Sequence, residues 1–397
     1  MTADLAAGAP LKIFLIAGEE SGDALGAGLM QALSAATGGA VRFSGVGGRR
    51  MAELGVSSLF PMEEIALHGV TAVLARLPNL MRRIDETTVA VLAAEPDVLV
   101  AIDCPAFSLR VAKRVRRLNP RIAVIDYVSP QVWAYWQFRA RQMARFVDRV
   151  LAILPFEPEF HRRIGGPPCI YVGHPLITRL GDFRPAPGER RPLAGGEPPV
   201  LLVLPGSRRS EISRLTVPFG ETVRRVVEAV GPLEVLLPAV PRLIGEIRAR
   251  IADWPVQPRI VEGEAEKLKA FRRAHAALAA SGTVSLELAL AAVPTVVAYR
   301  TDPIVRPFKF MLKAKSIVLA NLVLDELAIP EFINGDSDPA RLTAALAPLL
   351  RDGPERAAQL AAFQRLERLM DPNGPPPSER AAQAVLEALR TRQVRQA

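Results

Sequence analysis

Short, uninterrupted apolar runs recur along the chain, each followed by a stretch with helical spacing. Residues 12–17, 41–46, 97–102, 122–127 and 149–154 are such runs, and 24–33 and 108–118 carry helical spacing between them. A strand that reads as continuously apolar is buried on both faces, as strands are where crossover helices cover a parallel sheet. After Pro199 the pattern restarts, at 200–204, 233–237, 259–261, 276–280 and 295–299. The order is β-α-β throughout, so the expected class is α/β, with parallel sheets between layers of helices.

The restart divides the chain. Residues 181–199 hold five prolines and four glycines, a composition that favours a linker. The expected organisation is an N-terminal domain over 1–181, a linker over 182–199, and a C-terminal domain over 200–356. A helical tail over 357–397 follows, interrupted at 371–377. Two such domains would face each other across a cleft.

Composition narrows the function. Fifty Lys and Arg stand against 41 Asp and Glu, a net charge of +9, which suits anionic partners: phosphate esters, nucleic acid or an acidic membrane face. Two cysteines, Cys104 and Cys169, cannot build a disulfide framework and fit a reducing cytoplasm. With four His and neither CxxC nor HExxH, a zinc site is not expected. No apolar run approaches the ~20 residues of a membrane span. The first ten residues lack the basic region of a signal peptide.

The chemistry is expected in loops that follow strands. No GxGxxG or GxxxxGK[ST] occurs, which argues against NAD and a P-loop nucleotidase. The first loop is Ala17-Gly-Glu-Glu-Ser-Gly-Asp23, where Glu19, Ser21 and Asp23 are candidate substrate contacts and helix capping is the equal alternative. In Leu204-Pro-Gly-Ser-Arg-Arg-Ser-Glu211, Gly206, Ser207 and Arg208 offer N–H groups and a guanidinium to phosphate oxygens at a helix start. In Ser281-Gly-Thr-Val-Ser-Leu-Glu287, Ser281, Gly282 and Thr283 present donors to a diphosphate, and Glu287 can accept from ribose hydroxyls. The alternative there is an N-capped helix with an incidental Glu. Asp103 ends the apolar run 98–102, a usual place for a catalytic carboxylate, unless it caps the next helix. Trp133 and Trp136 share one loop, which suits a sugar or acyl chain; core packing is the alternative.

Ala17-Gly-Glu-Glu-Ser-Gly-Asp23, Val128-Ser-Pro-Gln-Val-Trp133, Val172-Gly-His-Pro-Leu176, Leu204-Pro-Gly-Ser-Arg208 and Ala280-Ser-Gly-Thr283 with Glu287 resemble, in that order, the bacterial lipid-A-disaccharide synthase family. Asn321 and Pro330-Glu331 extend the likeness, which spans about 12–336. The resemblance implies a GT-B fold of two Rossmann-like domains, with the donor nucleotide on the C-terminal one. It implies an inverting, metal-independent glycosyltransferase that needs no cofactor. The donor would be UDP-2,3-diacylglucosamine and the acceptor 2,3-diacylglucosamine 1-phosphate (lipid X). The products would be the β(1→6) disaccharide phosphate and UDP. It further implies Asp103 as base, Arg208 on the departing diphosphate, Glu287 on the ribose and Asn321 among the substrate contacts. Ala106 and Ser108 depart from the family's Asp and Asn. Two alternatives stand beside this reading: another GT-B enzyme on UDP-sugars, such as an epimerase, and a non-enzymatic binding protein.

Acylated substrates require contact with a bilayer. Ile65, Val70, Val73, Leu74, Leu77, Leu80, Met81 and Ile84 follow a three-four spacing, flanked by Arg76, Arg82 and Arg83. Residues 110–149 carry ten Lys and Arg against two acids, with Arg110, Lys113, Arg114 and Arg117 on one helical face. These features predict peripheral binding to the anionic inner membrane from the cytoplasm, and no nucleic acid partner. A helix packed on the sheet is the competing account of the stripe. A homodimer is left open.

Overall fold

The computed structural model describes residues 9–65, 70–134, 136–301 and 314–396. The backbone divides into two compact units, Met1–Pro175 with Pro372–Ala397, and Leu176–Asp371.

The first unit runs β1 (Leu11–Ala17), α1 (Glu20–Ala36), β2 (Val41–Val46), α2 (Arg49–Glu53), α3 (Val70–Ala94), β3 (Val98–Ile102), α4 (Ser108–Leu118), β4 (Ala123–Tyr127), α5 (Phe138–Met143), β5 (Arg149–Ala152), α6 (Glu157–Ile164) and β6 (Cys169–Tyr171). The second runs α7 (Leu180–Phe183), β7 (Val200–Leu204), α8 (Arg209–Val230), β8 (Glu234–Ala239), α9 (Ile244–Ile251), β9 (Arg259–Glu262), α10 (Glu264–Arg273), β10 (Ala276–Ala280), α11 (Thr283–Leu290), β11 (Thr295–Tyr299), α12 (Leu319–Leu324), β12 (Glu331–Ile333), α13 (Pro339–Leu346) and α14 (Pro354–Met370). The last helix, α15 (Pro377–Gln396), returns to the first unit.

Each unit holds one six-stranded sheet, ordered β2-β1-β3-β4-β5-β6 in the first and β12-β11-β10-β7-β8-β9 in the second. Every pairing is parallel, as the apolar runs require. Alternation sends Ile13, Leu15, Val98, Val100 and Ile125 to one face, where Leu29 and Leu33 of α1 and Val385 and Leu389 of α15 cover them. Phe14, Ile16, Leu99 and Val124 point the other way, onto Ile84 and Val91 of α3 and Val111 and Val115 of α4. In the second unit Leu201, Val203 and Leu278 pack beneath Leu215 and Phe219 of α8.

Register positions the loops. Ala17 pairs with Ile102, Ile102 with Tyr127 and Tyr127 with Leu151, so four loops leave the same edge of the first sheet. Leu204 beside Ala279 does the same for the loops after β7 and β10.

Three expectations change. The tail over 357–397 is not one element: α14 belongs to the second unit and α15 covers the first sheet. The stretch over 182–199 is not a free linker. The Arg190 guanidinium donates to the carbonyls of Phe271, Arg272, Ala291 and Ala292, tying the stretch to the second unit. The membrane stripe is divided as well. Ile65, Leu80 and Ile84 are core, while Leu77 and Met81 are exposed. Arg83 is held by Glu64 and Glu86. The side chains of Val70, Val73, Leu74 and Arg76 lie outside the described residues. On α4, Arg114 is paired with Asp85. No described helix is long and apolar enough to cross a membrane.

Candidate active site

At the sheet edge of the first unit, the loops after β1 and β3 come into contact. A Cβ on Gly18 would lie 2.4 Å from Cys104 Sγ, so a side chain there would push them apart. The contact brings Ser21 to Asp103: the Ser21 hydroxyl donates to Asp103 Oδ2 at 3.2 Å. Asp103 donates its own N–H to Tyr127 O at 3.1 Å and adopts a left-handed backbone, φ 42°. Burial pushes its carboxyl up to about 6; the negative charge of Glu19 adds to the rise and the Ser21 bond opposes it. A half-buried carboxylate with one hydroxyl donor and an acidic neighbour is poised to take a proton near neutrality.

Asp23 is not part of that site. Its buried carboxylate accepts from the N–H groups of Gly48, Arg50 and Met51 and caps α2. The expected substrate contact is a structural one.

Trp133 also changes role. It is buried, stands edge-on to Phe156, and its indole N–H donates to Glu157 Oε1 at 3.2 Å. Core packing therefore accounts for it. Trp136 is the exposed member of the pair, and Tyr135 between them lies outside the described residues. The loop is held firmly. Val128 takes φ 78°, a costly conformation for a β-branched residue. Ser129 Oγ lies 2.8 Å from His161 Nε2, and Glu157 Oε2 accepts from Leu154 N at 3.0 Å. Burial pushes Glu157 up to about 8 and His161 down to about 4, so both are neutral at pH 7. Asp126, buried in β4, is raised well above the carboxylate range by burial first, then by Asp103 and Glu157.

In the second unit the loop after β7 already holds an anion, and it is internal. Glu211 Oε2 accepts from Ser207 N at 3.0 Å and Arg208 N at 3.2 Å. Arg208 Nη1 donates to Glu211 Oε1 at 3.1 Å. The N–H groups of Ser207 and Arg208 expected to face phosphate are thus turned onto Glu211. Gly206, at φ 115°, makes room: a Cβ there would fall 2.4 Å from Glu211 Oε2. The Arg208 side chain is 60% exposed, so most of its donors face solvent.

The loop after β10 is more open. Gly282 and Thr283 are exposed at the start of α11, while Ser281 Oγ donates to Ile317 O at 2.7 Å. Glu287 lies one turn deeper with Oε2 2.7 Å from Lys267 Nζ, within ion-pair distance though off the hydrogen-bond direction. Asn321 is buried and bridges α12 to Ile329: its Nδ2 donates to Ile329 O and its Oδ1 accepts from Ile329 N, both at 2.9 Å. That amide fixes the fold and is not presented to a ligand.

The geometry thus gathers Glu19, Ser21 and Asp103 in one unit, and Gly206, Ser207, Arg208, Ser281, Gly282, Thr283 and Glu287 around adjacent loops of the other. Among the described residues no three His, Cys, Asp or Glu side chains converge as metal ligands. Sequence reasoning missed Glu211, Lys267, Glu157 and His161. Only Glu211 carried a local signal, a Glu at the third position of a helix, where it can reach back to the N-terminal N–H groups.

A family model for lipid-A-disaccharide synthetase matches residues 13–385. Lipid-A-disaccharide synthases of Rhodopseudomonas palustris and Nitrobacter hamburgensis are 54% and 52% identical, over 98% and 97% of this chain and 99% and 97% of theirs. The solved structure of S. aureus MnaA with UDP aligns at a TM-score of 0.63 and 13% identity, over 96% of this chain and 97% of that one. UDP-GlcNAc 2-epimerase from Neisseria meningitidis bound to UDP-GlcNAc aligns at 0.58 and 11%, over 96% and 100%. At such identities the likeness shows the fold, which is that of GT-B glycosyltransferases and epimerases; it lends no weight to epimerase chemistry. Full-length identity above one half carries the assignment: the chain belongs to the lipid-A-disaccharide synthetase family, and is a glycosyltransferase of lipid A biosynthesis.

Proposed function

We propose that the chain transfers 2,3-diacylglucosamine from its UDP adduct to 2,3-diacylglucosamine 1-phosphate by direct inversion. Asp103 accepts the proton of the attacking acceptor hydroxyl. The C1–O bond to the diphosphate breaks as the new β(1→6) bond forms, and UDP carries away the electron pair. The raised, half-buried carboxyl of Asp103 is the observation that carries this reading. Its affinity for a proton suits a base at neutral pH, where the carboxyl is mostly ionised.

Donor recognition is assigned to the loops after β7 and β10. Arg208 faces the diphosphate with its solvent-directed N–H groups, and the first turn of α11 adds backbone donors. Glu287, held near Lys267, accepts from the ribose. Charge on the leaving diphosphate is thereby met by Arg208 and N–H dipoles, with no step assigned to a metal ion. Peripheral contact with an anionic bilayer is assigned to the exposed Leu77 and Met81 beside Arg82, on the cytoplasmic side.

UDP release is the test. UDP should appear only when UDP-diacylglucosamine and the acylated 1-phosphate acceptor are both present, in equal amount to the disaccharide, and unaffected by EDTA. UDP formed at the same rate without acceptor would mean hydrolysis. Binding with no turnover under any condition would favour the non-enzymatic reading.

A further inference from the structure

We propose that Arg110 and Arg139 form the subsite for the phosphomonoester of the acceptor. This rests on the reading of the Asp103 edge as the acceptor side. The two arginines come from loops that leave neighbouring strands. Arg110 is in the first turn of α4, after β3; Arg139 is in the first turn of α5, after β4. The bond from Asp103 N to Tyr127 O joins the two strand ends.

Both guanidiniums are preplaced. Arg110 Nη1 donates to Ala106 O at 2.6 Å, which draws the side chain back over the loop that carries Asp103. The Arg139 guanidinium lies 3.8 Å above the centre of the exposed Trp136 ring. The ring face holds the cation in place and leaves N–H groups for another partner. Arg110 is near enough that its positive charge, after burial, lowers the proton affinity of Arg139.

What sets the pair apart is its place: neither guanidinium has a counter-charge among the described residues, and both helix starts follow strands that end beside Asp103. Several neighbours are matched, Arg83 with Glu64, Arg114 with Asp85, Arg116 with Asp148 and Arg149 with Glu387, while Lys113 and Arg117 further along α4 lie past its first turn, away from the Asp103 loop. Among the described residues neither Arg110 nor Arg139 meets a carboxylate. Two like charges near enough to influence each other, with no acid partner, are stabilised by an incoming anion. A phosphomonoester brings nearly two charges and three acceptor oxygens, enough for both guanidiniums. A bilayer phosphodiester brings one charge, and suits a dispersed basic face better than two arginines beside the Asp103 loop.

The experiment uses the full-length enzyme with Arg110→Gln, Arg139→Gln and the double variant. Each is assayed with acylated glucosamine 1-phosphate and with the same acceptor lacking its phosphate. Wild type should prefer the phosphorylated acceptor. Each single variant should lose about tenfold or more in kcat/KM on that acceptor, through KM, and little on the other. UDP affinity and sedimentation with phosphatidylglycerol vesicles should hold. Equal losses on both acceptors would overturn the subsite. So would lost vesicle binding with phosphate preference intact, which would give the arginines to the bilayer. The reading beneath fails separately, by an Asp103→Ala enzyme that keeps full turnover while the arginine variants still discriminate.

Discussion

Asp103 and Glu211 are carboxylates in similar places, each in the loop or first helical turn beyond an apolar strand near the middle of its sheet. Their surroundings differ. Glu211 receives two backbone N–H groups and the guanidinium of Arg208. Asp103 receives one hydroxyl, from Ser21, and has Glu19 nearby. A carboxylate with three donors is fully engaged in ordering a loop. One that is half-buried, short of donors and near another acid holds a proton more tightly and can do chemistry.

The comparison breaks most readily at Asp103. Asp103→Ala should cut turnover by about 10² or more, with UDP affinity and the thermal midpoint nearly unchanged. Steady-state rates and a melt on the same sample check it. Full activity in the folded variant would remove Asp103 from the reaction.

On the donor side the effects are smaller. Arg208→Ala and Glu287→Ala should each weaken UDP binding by about 1.5–3 kcal/mol, the usual worth of a hydrogen bond to a charged group. Calorimetric titration measures this; unaltered affinity in both would place the nucleotide elsewhere. Glu211→Gln sharpens the contrast from the other side. It should cost about 1–2 kcal/mol of stability, because the amide keeps one oxygen for the Ser207 and Arg208 N–H groups but turns an NH2 toward the Arg208 guanidinium, which loses its acceptor, while turnover falls only a few-fold. A collapse of turnover without destabilisation would make Glu211 a chemical group and erase the distinction.

What could be read from the sequence follows the range of the forces involved. Parallel sheets were legible because burial on both faces leaves a continuous apolar run, as at Val98–Ile102 and Val200–Leu204. The loop bearing Asp103 was legible because it ends such a run. Which donors a side chain would meet was not. Lys267 reaches Glu287 from another helix, and Ile329 closes on Asn321 across a turn. Trp133 gave no local sign that Glu157 would bury its N–H. Helical spacing in 357–397 showed two helices without saying which sheet each would cover. The prolines and glycines of 182–199 excluded regular structure but not anchoring, which Arg190 supplies through distant carbonyls.

The pH profile carries the contrast furthest. Asp103 acts as a base only when ionised, and its carboxyl is raised to about 6. The acid limb of kcat/KM should therefore bend near pH 6, with activity at pH 5 about a tenth of its plateau. A limb near pH 4 would show a carboxylate as well solvated as any on the surface. Stability moves the other way. Glu157, raised to about 8, and Asp126, raised well above the ordinary range, keep their protons in the folded state. The unfolded chain releases them above its own carboxylate pKa, so between that value and about pH 8 the folded state binds more protons and stability falls as pH rises. For each such group the slope is about 1.4 kcal/mol per pH unit inside that window. Glu157→Gln should flatten the slope by one group's share and leave the acid limb where it was. Were the acid limb to move with Glu157, the two carboxyls would titrate as one system, and Asp103 could not be treated apart from the loop beside it.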